Sequence, residues 1–453
     1  MTESATLDIT TELEKSPSPK VKVAITDIDG ILRGKYLHKE KFLSAMSGGF
    51  GFCNVVFGWD AADVCYDNVR YTGWHTGYPD ALARVDTTTY RRVPWDGNVP
   101  FFLGDFQDEA GAPLPVCPRS LLKGVLEKAR ALGFSAKAGL EFEWFNFKET
   151  SASLADKKYV DPSPMTPGMF GYSILRMSQN LPFFNALMDE LAAFRVPIEG
   201  LHTETGPGVL EAAILYSDAL EAADRAVLFK TGSREIGQRF GIMPSFMAKW
   251  NDKLPGCSGH THLSLWKDGE NAFFDPTDPH RMSATMKSFV AGLLKALPQI
   301  LPLFAPTVNS YKRLVDGYWA PTKPTWGIDN RTVAVRVIPG SAKSTRIEFR
   351  VPGSDINPYL AVAGAIAAGL WGVEHKLTLE EAPVVGSAYA ESTVARLPRN
   401  LHQATIQMEQ SRHAPELLSE AFVEHFVATR HWEWQTFQDA VTDWETRRYF
   451  EII

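Results

Sequence analysis

The stretch FSAKAGLEFEWFNF, residues 134–147, alternates in the period of two that predicts a β-strand with one apolar face. Glu141 and Glu143 share the opposite face. The alternation fails at Asn146, where a bulge or a change of environment is expected. Neighbouring carboxylates raise each other's pKa unless cations neutralise them. The pair therefore indicates either a divalent-metal site or an ordinary solvated strand face.

Two later segments, SGHTHLSL at 258–265 and TRIEFRV at 345–351, repeat this construction. Their polar-face residues are His260, His262 and Ser264 on the first and Arg346, Glu348 and Arg350 on the second. Each strand taken alone is compatible with satisfied surface ion pairs. Three such faces in one chain are costly to bury without a metal or a phosphate, so together they favour a ligand-binding sheet.

The segment HTETGPGVLEA, residues 202–212, adds Glu204 and Glu211 around a Gly-Pro-Gly turn and is predicted to be a loop over 200–211. It is not a dinucleotide fingerprint, because Glu211 stands at the position of the third glycine. The segment 340–344 lacks the Gly-Lys pair of a Walker A loop. Any use of ATP must therefore proceed without a P-loop.

Composition narrows the function classes. The 453 residues carry a net charge of −7, which gives no attraction for nucleic acid. The four cysteines form no CxxC pair, which disfavours a disulfide framework and a thiolate zinc site. The apolar stretch 360–373 is shorter than the roughly 20 residues that cross a membrane, so a buried helix is predicted there. Without a signal-peptide pattern, a cytoplasmic location is expected.

The pattern of turns and periodicities predicts an α+β protein of two domains. Residues 1–20 are expected to be a disordered lead-in and residues 21–116 a small, mostly β domain. A larger catalytic domain is expected over 117–453, with a helical C-terminal packing region at 400–453.

The order of these motifs resembles that of glutamine synthetases from about residue 20 to about residue 380. The matching pieces are Gly139–Glu143, Glu204–Glu211, Gly256–Ser264, NSYKRL at 309–314 with Gly317-Tyr318, Asn330-Arg331, and Arg346–Arg350 with Asn357-Pro-Tyr359. The resemblance implies an N-terminal β-grasp domain followed by a catalytic domain with a curved antiparallel sheet. It also implies an ATP-dependent ligase that activates glutamate as γ-glutamyl phosphate.

The family's roles can be carried over residue by residue. The resemblance implies one Mg²⁺ or Mn²⁺ on Glu143, Glu204 and Glu211, and a second on Glu141, His260 and Glu348. It implies ATP contacts from Tyr216, His262, Ser264, Arg336, Lys343 and Arg346. Glutamate would be held by Gly256, Arg313 and Arg350, and Arg331 would stabilise the transferring phosphoryl group.

The chain departs from the family at the amine end. Glutamine synthetases place a glutamate after Gly-Tyr to bind and deprotonate ammonium, whereas this chain has Trp319. The Asp-Gly-Ser-Ser motif of the neighbouring subunit is replaced by residues 57–63, where Asp60 or Asp63 is the expected substitute. An indole in place of a carboxylate favours an alkyl or aromatic amine over ammonia, as in the γ-glutamylamide and γ-glutamylpolyamine synthetase branch.

Two alternatives remain open at this point: an ordinary glutamine synthetase that uses ammonia, and a non-catalytic structural or regulatory homologue. The resemblance further implies a homo-oligomeric ring, hexamer or dodecamer, with active sites shared between subunits. Glutamate, ATP and an amine are the expected partners, with neither nucleic acid nor membrane.

Overall fold

The computed structural model describes residues 8–108 and 110–453 as a mixed α+β fold with two β-sheets, which confirms the predicted class. Within these ranges no helix is both long and apolar enough to span a bilayer.

The N-terminal sheet has five strands in the order β2-β1-β5-β4-β3, antiparallel except for the parallel pair β1 and β5. The strands are β1 (Lys20–Thr26), β2 (Leu32–His38), β3 (Phe50–Cys53), β4 (Asp80–Val93) and β5 (Val99–Gln107). Helix α2 (Lys39–Gly48) covers one face, where Phe42 stacks on Phe102. The two rings are fully buried in a separate apolar core.

The predicted disordered lead-in is wrong for the residues that precede this sheet. Helix α1 (Ile9–Lys15) begins at Asp8, whose carboxylate accepts from the amides of Thr10 and Thr11. Leu13 of this helix is fully buried in the N-terminal core, and this apolar contact orders a segment whose composition is polar. Residues 1–7 lie outside the described residues.

The second sheet has ten strands and carries the segments singled out above. Its main path is β13-β14-β15-β11-β6-β8-β7, with β9 and β10 paired to β6 and β12 paired to β11. The strands are β6 (Ser135–Phe147), β7 (Ile198–Thr203), β8 (Val209–Ile214), β9 (Ser217–Asp218), β10 (Met243–Ser245), β11 (Gly259–Lys267), β12 (Glu270–Asn271), β13 (Trp326–Ile328), β14 (Val335–Ile338) and β15 (Arg346–Phe349). Only β13 and β14 pair in parallel among these strands as described.

Helices flank the sheet and fill the C-terminal region. They are α3 (Pro118–Ala131), α4 (Ser151–Asp156), α5 (Ile174–Gln179), α6 (Leu181–Ala193), α7 (Ala219–Gln238), α8 (Ala284–Ala296), α9 (Ser310–Arg313), α10 (Pro358–Glu374), α11 (Leu401–Glu409), α12 (His413–Leu418), α13 (Glu420–Asp439) and α14 (Asp443–Tyr449). The apolar stretch 360–373 lies within α10 and is buried, apart from a partly exposed Val373, as the sequence predicts.

The apolar face of β6 packs against α7, and this contact leaves the carboxylate face free. Phe142 stacks on Phe229 of α7 at 6.0 Å between ring centroids, and Trp144 meets the same ring edge-on at 5.3 Å. Asn146 marks the expected change of environment. It is buried, its side-chain oxygen accepts from the Trp144 indole at 2.8 Å, and its amide donates to the carbonyl of Gly208 at 3.0 Å.

Residues 200–211, predicted as a loop, instead form most of a β-hairpin. Strands β7 and β8 pair in antiparallel fashion, and residues 204–208, which include Gly206-Pro207-Gly208, form the turn that connects them. Both glycines adopt positive φ, 141° and 69°, which the turn requires and which a side chain would oppose. The glycines and proline that resemble loop signals therefore mark a tight hairpin.

Candidate active site

Cross-strand pairing gathers the polar side chains of the ten-stranded sheet into neighbouring rows. One row runs from Arg336 on β14 through Glu348 on β15 to His262 on β11. A second pairs His260 with Glu141, and a third runs from Glu143 on β6 through Glu211 on β8 to His202 on β7. Residues far apart in the chain thus become direct neighbours because the strands pair in this register.

Cluster A consists of Glu141, His260, His262 and Glu348. Donor atoms of Glu141, His262 and Glu348 all lie within 4.8 Å of one another. The Nδ1 atom of His260 lies 3.3 Å from a carboxylate oxygen of Glu141 and 3.3 Å from one of Glu348. The structure therefore brings together the three residues expected at the second metal, and adds His262.

Cluster A is electrostatically compensated on one side. Arg336 Nη1 donates to one oxygen of Glu348 at 2.7 Å, and Arg350 donates to the other. Burial alone would raise the pKa of Glu348, but the positive charges of His260 and Arg350 dominate and lower it to about 2. Burial also opposes ionisation of Glu141, yet its bonds with His260 and His262 hold its pKa well below the ordinary value.

Cluster B consists of His202, Glu204 and Glu211, whose donor atoms also lie within 4.8 Å of one another. The two ring nitrogens of His202 lie 3.7 Å from Glu204 and 3.4 Å from Glu211. Glu143, expected with the two glutamates, faces Glu211 across the strand pair, and its carboxylate accepts from the amide of Ser258 at 2.6 Å. In this arrangement His202 occupies the place in the group that the sequence assigns to Glu143.

The charges in cluster B are less well compensated. Burial, followed by repulsion from Glu141 and Glu143, raises the pKa of Glu211 to about 7, although the His202 hydrogen bond opposes the shift. The pKa of His202 rises to about 9 because its bonds to Glu211 and to the Thr203 carbonyl outweigh the effect of burial. Glu211 and His202 therefore both stay protonated to a higher pH than usual, which indicates an excess of negative charge in cluster B.

A cleft of about 1020 Å³ adjoins cluster A along β6 and β11. It contains five of the six residues expected at ATP: Tyr216, His262, Ser264, Lys343 and Arg346. Gly139 lies below Tyr216, and a Cβ at this position would come within 3.2 Å of the Tyr216 side chain. Arg336, the sixth, does not line the cleft, because its guanidinium pairs with Glu348 and Asp329.

Several polar groups of the cleft are held before any ligand enters. Arg346 Nε donates to His262 Nδ1 at 3.2 Å, and the Ser264 hydroxyl accepts from the Trp266 indole at 2.9 Å. Lys343 is exposed on the turn between β14 and β15. The cleft therefore offers the exposed ammonium of Lys343 and the partly engaged guanidinium of Arg346 to an anionic ligand.

The residues expected at glutamate lie together beside β15. Arg313 is buried and donates to the carbonyls of Val351 at 2.8 Å and Arg350 at 3.1 Å. A Cβ at Gly256 would come within 2.9 Å of the Arg313 side chain, so the glycine allows this close packing. Arg350 Nε donates to the carbonyl of Arg331 at 3.1 Å, while the Arg331 side chain is exposed.

Trp319 lies at the tip of the turn that follows α9. It adopts a φ of 62°, which is rare for a bulky residue, and its side chain is 61% exposed. The next residue, Ala320, accepts a hydrogen bond from the hydroxyl of Tyr389 at 3.2 Å. Burial, followed by the charge of Asp316, raises the pKa of Tyr389.

Asp60 is not available as a free carboxylate in this chain. One oxygen accepts from the amides of Ala62 and Val64, and the other accepts from the indole of Trp432 on α13 at 3.0 Å. The expectation that Asp60 serves the amine site is therefore unsupported, because three donors from its own chain already occupy it. Asp63 is more exposed, although it pairs with Arg33 at 2.8 Å.

Comparison with known proteins supplies the family. Residues 115–449 match the family "Glutamine synthetase, catalytic domain". This chain belongs to the glutamine synthetase family. It is 56% identical over 98% of its length to Type-1 glutamine synthetase 2 of Dictyostelium discoideum, 86% of which is covered. It is 36% identical to the glutamate–isopropylamine ligase of a Pseudomonas species, with 97% of each chain covered. The solved structure of a GmaS/ADP complex superposes with a TM-score of 0.85 at 27% identity, covering 98% of this chain and 99% of that one.

Members of the glutamine synthetase family are ATP-dependent ligases that use divalent metals, and the two clusters fit such ions. Carboxylate and imidazole donors suit Mg²⁺ or Mn²⁺. The convergence of three donor atoms within 4.8 Å in each cluster is the observation that carries this fit, and the raised pKa of Glu211 agrees with it.

Three residues beside the clusters escaped the sequence argument. His202 lies on β7, but the loop prediction over 200–211 prevented the strand period from being applied to it. Glu199 lines the nucleotide cleft, and its single charge has no neighbouring pattern. Tyr172 stacks on His202 at 4.3 Å between centroids from a segment without regular periodicity, so only the tertiary structure reveals it.

Proposed function

We propose that this chain condenses glutamate with a primary amine that carries an apolar substituent, at the expense of ATP, to give a γ-glutamylamide, ADP and phosphate. The observation that supports the choice of acceptor is Trp319. An exposed indole, held at an unfavourable φ on the turn whose Ala320 carbonyl accepts from Tyr389, stands where ammonia-using relatives place a carboxylate.

The reaction has two steps, and the first is the activation of glutamate by transfer of a phosphoryl group from ATP. The γ-carboxylate of glutamate would attack the γ-phosphate of ATP, which breaks the bond from phosphorus to the bridging oxygen and releases ADP. Arg313 and Arg350 would hold glutamate beside the clusters, and Arg331, with its exposed side chain, would neutralise the moving phosphoryl group. Divalent ions held by cluster A, and by cluster B together with the adjacent Glu143, would supply further positive charge for the phosphates.

Amide formation then exchanges phosphate for nitrogen. The amine lone pair would attack the γ-carbonyl carbon, the bond from that carbon to the phosphate oxygen breaks, and the nitrogen loses one proton. An indole cannot accept this proton, so Trp319 would contribute apolar contact and a cation–π surface for the incoming ammonium. The departing phosphate can accept this proton, so an amine delivered in neutral form would need no base equivalent to the missing glutamate.

The relatives support two acceptors. The 36% identity to an isopropylamine ligase over 97% of each chain favours an alkylamine. The 56% identity to a type-1 glutamine synthetase favours ammonia as the second candidate. We also propose a ring-shaped homo-oligomer for this chain, as the family resemblance implies.

The test compares catalytic efficiency for ammonium, methylamine, ethylamine, isopropylamine and 2-phenylethylamine, with phosphate release as the measurement. If the indole lines the acceptor pocket, kcat/KM should increase along the series, since each buried methylene contributes about 0.8 kcal/mol, or roughly fourfold. Trp319→Glu should shift preference partly back toward ammonium. Trp319→Phe is the matched control and should keep the preference for apolar amines.

A purely structural role for Trp319 gives a different result. Loss of packing in the turn should lower kcat/KM for all acceptors by the same factor and leave their ratios unchanged. A wild-type enzyme that prefers ammonium to every amine would refute the γ-glutamylamide proposal and establish a glutamine synthetase.

A further inference from the structure

Lys230 of α7 is a buried cation without a carboxylate partner among the described residues. Its side chain lies between two aromatic rings, with the ammonium 5.6 Å from the centroid of Phe142 and 5.5 Å from that of Phe246. Burial, followed by the neighbouring charge of Arg234, lowers its pKa to about 7. Burying an ammonium is costly unless its protons are donated to acceptors, so the partners of Lys230 show what the side chain does.

The ammonium instead holds one short segment of main chain. Lys230 Nζ donates to the carbonyl oxygens of Ser354 and Ile356, at 2.9 Å in each case. This segment, residues 352–357, joins β15 to α10 and makes no regular secondary structure until α10 begins. Two bonds from one buried donor therefore tie α7 to this connection, which an isolated β-bridge between Gly353 and Ser258 also anchors.

The same segment also forms a hydrogen bond to the main chain of Glu143. The hydroxyl of Ser354 donates to the carbonyl of Glu143 at 2.6 Å, and the amide of Ser354 donates to the carbonyl of Cys257 at 3.0 Å. Ser258, the residue directly before β11, makes two hydrogen bonds with Glu143. The Ser258 carbonyl accepts from the Glu143 amide at 3.0 Å, and the Ser258 amide donates to the Glu143 carboxylate at 2.6 Å.

We infer that Lys230 is a positioning residue for the metal-binding carboxylate of Glu143, acting through Ser354. The chain of contacts runs from a helix on the apolar side of β6 to the carboxylate on its opposite face. Lys230 also contacts β6 directly through the ring of Phe142, the residue before Glu143. The inference rests on the proposed function in one respect, namely that Glu143 contributes to binding a divalent ion.

The experiment measures Mn²⁺ affinity by titration calorimetry on the full-length protein, with thermal stability followed in parallel. Lys230→Met should weaken Mn²⁺ binding by about tenfold or more, as expected when a group that orients a metal ligand is removed. It should lower kcat while the KM for ATP changes little, and it should lower the melting temperature of the metal-free protein moderately, because two buried carbonyls lose their donor. Arg234→Met, one helical turn away and exposed, is the matched control and should bind Mn²⁺ like the wild type.

A double-mutant cycle with Ser354→Ala separates positioning from a general packing defect. If Lys230 acts through Ser354, the losses in Mn²⁺ affinity should be clearly less than additive. Additive losses, or unchanged Mn²⁺ affinity in folded Lys230→Met, would overturn the inference. If Lys230→Met does not fold, Ser354→Ala decides alone: an unchanged affinity overturns the inference and a loss with an unchanged melting temperature supports it. Failure of the wild type to bind Mn²⁺ would count against the proposed function itself.

Discussion

Replacing Glu211 by glutamine should have opposite effects on the metal-free and the metal-loaded protein. Glu211 is the buried carboxylate on which repulsion from Glu141 and Glu143 converges, and its pKa is raised from 4.5 to about 7. A folded-state pKa above the unfolded value means that its contribution to stability is fully present below pH 4.5 and is lost as the pH rises through about 7. At pH 8 the ionised wild-type side chain therefore destabilises the metal-free fold.

The size of the effect follows from the same shift. A rise from 4.5 to about 7 corresponds to at most about 3 kcal/mol of destabilisation once the group is ionised. Glutamine avoids this cost but also removes the charged partner of His202, so we expect a net gain of about 1–2 kcal/mol in the metal-free state at pH 8. With metal present the variant lacks one ligand, and Mn²⁺ affinity should fall by about 10- to 100-fold.

The assay is a pair of thermal melts at pH 8, one in EDTA and one in saturating Mn²⁺, for wild type, Glu211→Gln and the control Glu199→Gln. Glu199 lines the nucleotide cleft and lies outside both clusters, so its variant should keep the metal-induced stabilisation. Glu211→Gln should melt higher than wild type in EDTA and lose most of the increase that Mn²⁺ produces. A lower melting temperature of Glu211→Gln in EDTA, or an undiminished response to Mn²⁺, would refute the claim that Glu211 is a destabilising carboxylate of a metal site.

Three further outcomes are expected. Glu143→Ala should abolish turnover and weaken Mn²⁺ binding while circular dichroism stays unchanged, and full activity in this variant would remove Glu143 from the metal site. Tyr216→Ala should raise the KM for ATP at least about tenfold through loss of adenine stacking, with the KM for glutamate as the internal control; equal changes in both values would argue against the assignment. Analytical ultracentrifugation should show a ring of at least six subunits, and a fully active monomer would contradict shared active sites.

The sequence by itself determined the class of the protein because its signals are local. The period of two in residues 134–147, 258–265 and 345–351 is a direct consequence of strand geometry, so it predicts which side chains share a face without knowledge of the partner strands. Pro118 is likewise a local signal, because its fixed φ suits the first position of α3. Even the substitution at Trp319 is visible as a change of one residue within a motif.

Only the tertiary structure decided which faces meet and which charges are compensated. His202 reaches cluster B because β7 pairs with β8 in one register, and a shift by a single residue would turn its side chain to the other face. Arg336 does not line the nucleotide cleft, because it pairs with Glu348, which lies opposite it on the neighbouring strand. Asp60 is occupied by Trp432, which lies 372 residues away in the chain. Such contacts depend on the folded geometry of distant segments, and no local period encodes them.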